Sequence, residues 1–250
     1  MTETAVPIKE LLEAGAHFGH QTSQWHPRMK KYIYTKRNGI HIIDLEKTAE
    51  FMSKACKFVG DVVASGGKVL FVGTKRQAQD IIVEEAKRSG MYYVDQRWIG
   101  GTLTNFATIQ SRIDYLVKLE DRKEKGEFNR LPHKEARKLE EQITKLNRAF
   151  GGIKEMVELP DAIFIVDTIK EKNAIAEAHH MAIPLVATVD TNCDPNSVDY
   201  PIPINDDAVK AIKLVTSKIA DAIIAARAQG ELTSLAEEKA SEDIEQEKAE

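Results

Sequence analysis

Cations and aromatic rings alternate in one stretch of this sequence, residues 25–41. The stretch contains five lysine or arginine residues and no acidic residue, although the whole chain of 250 residues carries a formal net charge of −4. Lysine and arginine pair with phosphates and aromatic rings stack on unpaired bases, so this interleaving is typical of RNA-binding surfaces. The predicted RNA contacts here are Trp25, Arg28, Lys30, Lys31, Lys36 and Arg37. The alternative is a solvated surface arm without a ligand.

A second motif, RWIGGTLTNF at residues 97–106, combines a cation, a broad ring and two adjacent glycines. Glycine has no Cβ, so the pair allows the backbone to bend sharply or to approach a ligand closely. Arginine suits phosphate and tryptophan suits an unstacked base, but the tryptophan is equally suited to packing in the core. The predicted RNA contacts in this motif are Arg97, Trp98, Gly100, Gly101, Thr104 and Asn105. Thr102 or Thr104 is expected to cap the helix that follows.

The segment 69–77, VLFVGTKRQ, has the pattern of an apolar strand, a glycine and a helix that opens at Thr74. Free N–H groups and the helix dipole attract anions at such a junction, so Lys75 and Arg76 are predicted phosphate contacts. The same turn permits a rival interpretation, a nucleotide- or sugar-phosphate-binding enzyme whose phosphate cradle is Gly73-Thr74-Lys75. The rival is weakly supported, because the turn matches neither G-x-G-x-x-G nor the GK[ST] ending of a P-loop.

Several acidic residues follow predicted strands, where α/β enzymes place their sites. Together with His17 or His20, Asp190 and Asp206 are candidate ligands for a divalent cation. Helix capping and turn formation explain most of these acids, so we predict no metal, no cofactor and no catalytic residue. The two cysteines form no C-x-x-C pair, and the sequence contains no nucleophile elbow.

Strand-like and helical patterns alternate along the chain, which predicts a parallel sheet covered by helices on both faces. Strands are predicted at residues 40–45, 68–73, 91–94, 162–167 and 183–190, with a short last strand near Ile202. The predicted fold class is therefore α/β, a three-layer Rossmann- or flavodoxin-like parallel sheet.

Between residues 106 and 150 the apolar residues recur three and four positions apart, and charged residues fill the other positions. Gly126 and Pro132 separate two such runs, which predicts an inserted coiled-coil hairpin of two antiparallel helices. Its nearly balanced charge indicates an arm that reaches a partner, either RNA or protein. The predicted domains are an α/β RNA-binding body at 1–105 and 151–230, the hairpin at 106–150, and an acidic tail at 231–250. The tail has eight acidic residues and two lysines and is predicted to be disordered.

Several long motifs occur in an order that resembles the bacterial-type ribosomal protein S-two family. They are HFGHQT, WHPRMKKYIYTKRNGIHIIDL, FVGTKRQAQ, RWIGGTLTNF and IPLVATVDTNCDPNSVDYPIPINDDA. The resemblance extends from about Ile8 to Gln229, and GGIKEM after the predicted hairpin also fits the bacterial form.

The resemblance implies a structural constituent of the small ribosomal subunit that serves translation and is not an enzyme. The implied partners are small-subunit ribosomal RNA, neighbouring head and body proteins, and S-one, the large protein that captures messenger RNA. It implies a cytoplasmic, ribosomal location, a hairpin that braces the subunit, and no homo-oligomer. No membrane span is expected, because the sequence has no run of eighteen apolar residues. A free adaptor protein that uses the hairpin is the remaining alternative, and it predicts no association with RNA.

Overall fold

The first part of the chain forms a small antiparallel sheet in the computed structural model, which describes the backbone of residues 6–247 and the side chains of residues 6–230. After helix α1 (Ile8–Glu13), strands β1 (Phe18–Gln21), β2 (Ile33–Arg37) and β3 (Ile40–Ile43) pair in the order β1-β3-β2. A short 3-10 helix, Pro27–Tyr32, precedes β2.

The strand predicted at 40–45 is β3, but its place in a parallel sheet is wrong. It pairs antiparallel with both of its neighbours, β1 and β2. Asn38 and Gly39 have φ angles of 51° and 76°, the positive values of a tight hairpin turn, and they direct the chain back along β2.

The apolar runs that follow form a parallel sheet of five strands. They are β4 (Val69–Val72), β5 (Tyr92–Val94), β6 (Ala162–Ile165), β7 (Leu185–Val189) and β8 (Tyr200–Pro203). Their spatial order is β5-β4-β6-β7-β8, and each adjacent pair is parallel. Every residue of β4, β6 and β7 is buried, because helices cover both faces. This order is the flavodoxin-like arrangement, so the predicted α/β class with a Rossmann-like sheet is confirmed.

The helices after α1 are α2 (Leu45–Ala64), α3 (Gln79–Ser89), α4 (Phe106–Glu124), α5 (His133–Phe150), α6 (Lys172–His180) and α7 (Val209–Glu247). Helices α2, α3 and α7 bury one face of the sheet, including Phe71 and Phe164. Helix α6 and the body-side ends of α4 and α5 bury the other face, including Leu70 and Ile163. Among the described residues, no helix combines the length and the apolar character that a bilayer crossing requires.

Two helix boundaries bear on the predictions. The predicted opening of a helix at Thr74 is wrong, because residues 76–78 form a turn and α3 begins at Gln79. Helix α7 continues into the acidic segment 231–250, whose side chains lie outside the described residues. The predicted disorder of that segment therefore stays a prediction.

Helices α4 and α5 lie where the inserted hairpin is predicted, and they pack against each other. Leu116 and Leu119 of α4 form a separate apolar cluster with Ile143 of α5 and Phe128 of the connecting 3-10 helix. The apolar residues that recur three and four positions apart in the sequence thus lie at the contact between the two helices. The coiled-coil assignment itself stays a prediction.

Candidate nucleic-acid interface

The basic stretch 25–41 is fixed to the carboxyl edge of the parallel sheet. The N–H groups of His20 and His26 donate to the side-chain and main-chain oxygens of Thr191, which follows β7, each at 2.8 Å. Gly19 lies so close that an added Cβ would be 2.5 Å from the Thr191 Cγ2 atom, so only glycine fits there. These contacts give the cations after β1 a defined position on the body.

The cations of this stretch point outward. Arg28, Lys30 and Lys31 lie on the 3-10 helix, Lys36 and Arg37 lie at the end of β2, and all five are exposed. Their apolar neighbours Met29 and Tyr32 are buried and hold the 3-10 helix against the body. The predicted basic surface is therefore present as a solvent-facing feature.

The five cations differ in their partners. Arg28 donates to the Asp194 carboxylate at 2.5 Å, and the Lys31 ammonium lies 4.8 Å from the centre of the Tyr32 ring. Lys30, Lys36 and Arg37 have no ion-pair partner among the described residues. These three cations are the ones most available to an external phosphate.

Trp25, the aromatic residue predicted in the same stretch, is half-buried. Its ring centre lies 5.1 Å from that of His41, with the two planes tilted by 47°. The ring is therefore braced on one side, and its predicted base contact stays a prediction.

The RWIGGTLTNF motif is organised around one carboxylate, that of Glu177 on α6. The indole N–H of Trp98 and the N–H of Gly101 donate to Oε1 at 2.9 Å each. The N–H groups of Leu103 and Thr104 donate to Oε2 at 3.0 and 3.3 Å, and the Thr104 hydroxyl donates at 3.2 Å. Burial opposes ionisation of Glu177, but the hydrogen bonds, led by that from Trp98, outweigh it and lower its pKa.

These contacts give several residues of the motif a structural role within the chain. Trp98 is only 6% exposed and packs in the core, and its predicted base contact stays a prediction. The N–H groups of Gly101 and Thr104 are already occupied by Glu177, which leaves them unavailable to phosphate.

The predicted threonine cap of α4 is also wrong. The Thr102 hydroxyl donates to the Ile99 carbonyl at 2.6 Å, and the Thr104 hydroxyl is held by Glu177. Asn105 occupies the N-cap position without a side-chain cap bond. Arg97, Gly100 and Asn105 remain exposed on this motif as candidates for an external contact.

The Gly73-Thr74 turn lies between the carboxyl ends of β4 and β6, where flavodoxin-like sheets bind ligands. Protein groups fill this crevice. The Glu171 carboxylate accepts the N–H of Thr74 at 3.1 Å and also the Thr74 hydroxyl. An internal carboxylate thus takes the place that a phosphate would occupy in a cradle.

Lys75 is surrounded by carboxylates in the same way, and its predicted phosphate contact stays a prediction. Its ammonium lies 2.6 Å from Asp207, 2.7 Å from Asp206 and 3.3 Å from Asp167, and its side chain is 13% exposed. Burial opposes the charged form of Lys75, but the carboxylates outweigh it and raise its pKa. Burial raises the pKa of Asp206 to about 7, reinforced by Asp190 and Asp167 and opposed by Lys75. Arg76, by contrast, is exposed and stays a predicted contact.

The predicted metal donors are only partly brought together. Within the described part of the chain, His20, Asp190 and Asp207 place one donor atom each within 4.8 Å of the others. His17 and Asp206 are not in this group. The Nδ1 atom of His20 lies 3.2 Å from the Asp190 carboxylate, and its Nε2 atom lies 3.5 Å from that of Asp207. The Asp190 carboxylate beside the ring, supported by Asp206 and Asp207, raises the pKa of His20 against the opposing effect of burial, which favours the protonated imidazole between the carboxylates.

The fold and this surface define a Rossmann-like α/β protein with an outward cationic segment and with its ligand crevice filled by its own side chains. Comparison with known proteins identifies the family within this class. The model of the family described as Ribosomal protein S2 matches residues 11–226. The chain belongs to the ribosomal protein S2 family.

Curated relatives agree with this assignment. The chain is 70% identical over 220 residues to small ribosomal subunit protein uS2 of Dehalococcoides mccartyi strain BAV1, and equally to that of strain CBDB1. Each alignment covers 88% of this chain and 90% of the relative. Family membership makes the chain a structural component of the small ribosomal subunit in translation and not an enzyme, which confirms those two predictions.

Proposed function

We propose that this chain binds small-subunit ribosomal RNA through the basic stretch 25–41, within the small subunit of the cytoplasmic ribosome. The observation that carries the proposal is the exposure of Lys30, Lys36 and Arg37 without any carboxylate partner among the described residues. Unpaired cations at fixed positions neutralise phosphates and release counterions, which is the main source of affinity for nucleic acid.

The mechanism is phosphate neutralisation on a fixed surface. Because Thr191 anchors the stretch, little ordering is required when RNA binds. Arg97, Gly100 and Asn105 supply a second exposed contact, and Glu177 holds that loop in shape from below. Trp25 adds the exposed part of its ring to an unpaired base.

The remaining parts of the chain have separate roles in this proposal. The body, residues 1–105 and 151–230, binds RNA and contacts head and body proteins as a single copy. The hairpin, residues 106–150, is a coiled-coil arm that braces the subunit. The chain also helps to dock S-one, as the family resemblance implies. The acidic tail, residues 231–250, stays away from RNA because like charges repel.

The test is incorporation of a charge-reversed variant into small subunits. The triple variant Lys30→Glu, Lys36→Glu, Arg37→Glu is expressed with an affinity tag, and cell lysates are fractionated on sucrose gradients. The matched control is Lys57→Glu, Lys172→Glu, Lys210→Glu, which changes the net charge equally at exposed sites elsewhere. We expect the control to sediment with the small subunit and the basic-stretch variant to remain at the top. Equal sedimentation of the two variants would contradict the proposal.

A further inference from the structure

A groove lies at the amino edge of the parallel sheet, whereas the basic stretch 25–41 is fixed to the carboxyl edge. The groove is lined by the C-terminal part of α2, by residues 65–67 before β4 and by the segment before β6. Its volume is about 550 Å³, within the range of cavities that hold ligands. None of the predicted RNA contacts lines it. We call this feature the amino-edge groove.

The floor of the amino-edge groove is apolar and open. Phe58 and Val62 lie four residues apart on α2, so they share one face of that helix, and both are only partly buried. The Phe58 ring stacks on the Tyr200 ring, with the ring centres 4.1 Å apart and the planes inclined by 14°, and this contact holds it in place. At Gly66, an added Cβ would meet nothing within 4 Å, so the turn leaves space beside the floor. The aliphatic part of a partner side chain therefore has an apolar surface to lie on.

The rim of the amino-edge groove is acidic. Asp61, Glu158 and Asp161 line the groove and are exposed. Within the described part of the chain, Asp61 and Glu158 have neither an ion pair nor a side-chain hydrogen bond, and the Asp161 carboxylate accepts only the Lys68 N–H, at 2.7 Å. The ammonium groups of Lys57 and Lys68, the nearest cations along the chain, pair with none of the three. The groove thus presents three negative charges that the described residues do not compensate.

The chemistry of the groove favours a cationic side chain with an aliphatic stem. Three carboxylates repel phosphate, which disfavours RNA as the occupant. A shared metal ion is disfavoured too, because the one group of donors close enough to hold an ion, among the described residues, is His20, Asp190 and Asp207. Lysine lays its four methylene groups along apolar surface and keeps its compact ammonium near carboxylates and water. Carboxylates at separate points of a rim suit this point charge better than the planar fork of arginine.

We propose that the amino-edge groove binds a lysine-bearing segment of a neighbouring protein in the small subunit. The proposal rests on the proposed function, which gives the body protein neighbours, and it assigns one of those contacts to a surface. Proteins that bind RNA carry clusters of lysine and arginine, so a neighbour in the same particle has cations to offer. The body then has two interaction surfaces of opposite charge, cations for RNA near the carboxyl edge and carboxylates for protein at the amino edge.

The first test measures affinity for small subunits. The full chain with Asp61→Lys and Glu158→Lys is bound to small subunits from which salt has removed this protein. Loss and reversal of two charge contacts should weaken binding about tenfold. The control, Glu10→Lys and Asp80→Lys, changes the net charge equally at two exposed acids that have no ion pair among the described residues, and it should bind like the original chain. Equal binding of the two variants overturns the proposal.

The two groove substitutions leave the fold intact. Asp61 lies in the last turn of α2, where the helix dipole favours a cation, and Glu158 is an exposed residue outside the helices and strands. Urea unfolding of the free variant should therefore match that of the original chain, so weaker binding reports on the groove.

The second test identifies the partner by carbodiimide crosslinking of assembled small subunits. This reagent joins a carboxylate directly to an amine in contact with it, and mass spectrometry maps the joined peptides. We expect Asp61 or Glu158 to be joined to a lysine of another small-subunit protein. Links only to lysines of this chain, or no link at either carboxylate, would overturn the proposal. Failure of the original chain to sediment with the small subunit would instead refute the proposed function.

Discussion

Replacement of Glu177 tests whether one internal carboxylate holds the RWIGGTLTNF loop. In Glu177→Ala, the indole N–H of Trp98 and the N–H groups of Gly101 and Leu103 lose their acceptor. Leu103 is only 1% exposed, so solvent does not replace that acceptor easily. A buried donor without a partner costs about 1–3 kcal/mol, and the Thr104 donors are exposed enough to bind water instead.

From these contacts we expect Glu177→Ala to lower the free energy of unfolding by about 2–4 kcal/mol. Glu177→Gln, which keeps one acceptor oxygen, should lower it by about half as much. Urea unfolding at pH 7, followed by tryptophan fluorescence, measures both changes. The control is Glu158→Ala, at an exposed residue without an ion pair among the described residues, and it should change stability by less than about 0.5 kcal/mol.

The effect of Glu177 should also depend on pH. Because the folded-state pKa of Glu177 is lowered, its stabilisation is fully present above the ordinary glutamate pKa of about 4.3. It is lost as the pH falls through the lowered folded-state value. The stability difference between the original chain and Glu177→Gln should therefore shrink in acid. A Glu177→Ala variant as stable as the original chain at pH 7 would refute the assignment of this carboxylate as the organiser of the loop.

Three further predictions follow from buried contacts. Gly19→Ala should destabilise the fold by about 1–3 kcal/mol, because the new Cβ would lie 2.5 Å from Thr191; an unchanged urea midpoint would show that the sheets are not held this closely. Lys75→Met should cost about 2–4 kcal/mol in urea unfolding, since it leaves Asp206 and its neighbours without a cation; full stability would mean that the ammonium is dispensable. The folded-state pKa of Asp206 is raised to about 7. Its stabilising contribution to the free energy of unfolding is therefore fully present below the unfolded-state pKa of about 3.9 and is lost as the pH rises to 7. The Asp206→Asn variant should therefore lose less stability between pH 4 and pH 7 than the original chain. Parallel stability profiles of the two proteins over this pH range would contradict the raised pKa of Asp206.

The body fold was accessible from sequence because its signals are local. Buried strands such as β4, β6 and β7 are short apolar runs, and glycines or turn residues mark their ends. The placement of β3 was not accessible, because the run 40–43 is equally compatible with either sheet. Only the positive φ angles at Asn38 and Gly39, together with the pairing to β1, decide it.

The candidate site was predictable only where exposure follows from composition. The cations of residues 25–41 are exposed because charged side chains avoid burial without a partner. The ion pairs of Lys75 were not predictable because its carboxylate partners, Asp167, Asp206 and Asp207, are distant in sequence and adjacent only in the fold. Glu171 and Glu177 were missed for the same reason. The only signal in the sequence was for Glu177, which lies between two alanines in an apolar helical pattern.

The central claim is that residues 25–41 meet ribosomal RNA inside the small subunit. The most direct measurement is ultraviolet crosslinking of purified small subunits, followed by mapping of the nucleotide-bearing peptides of this chain. We expect crosslinks within residues 25–41. If the peptides that span residues 25–41 carry no nucleotide in small subunits that contain the chain, the claim is contradicted.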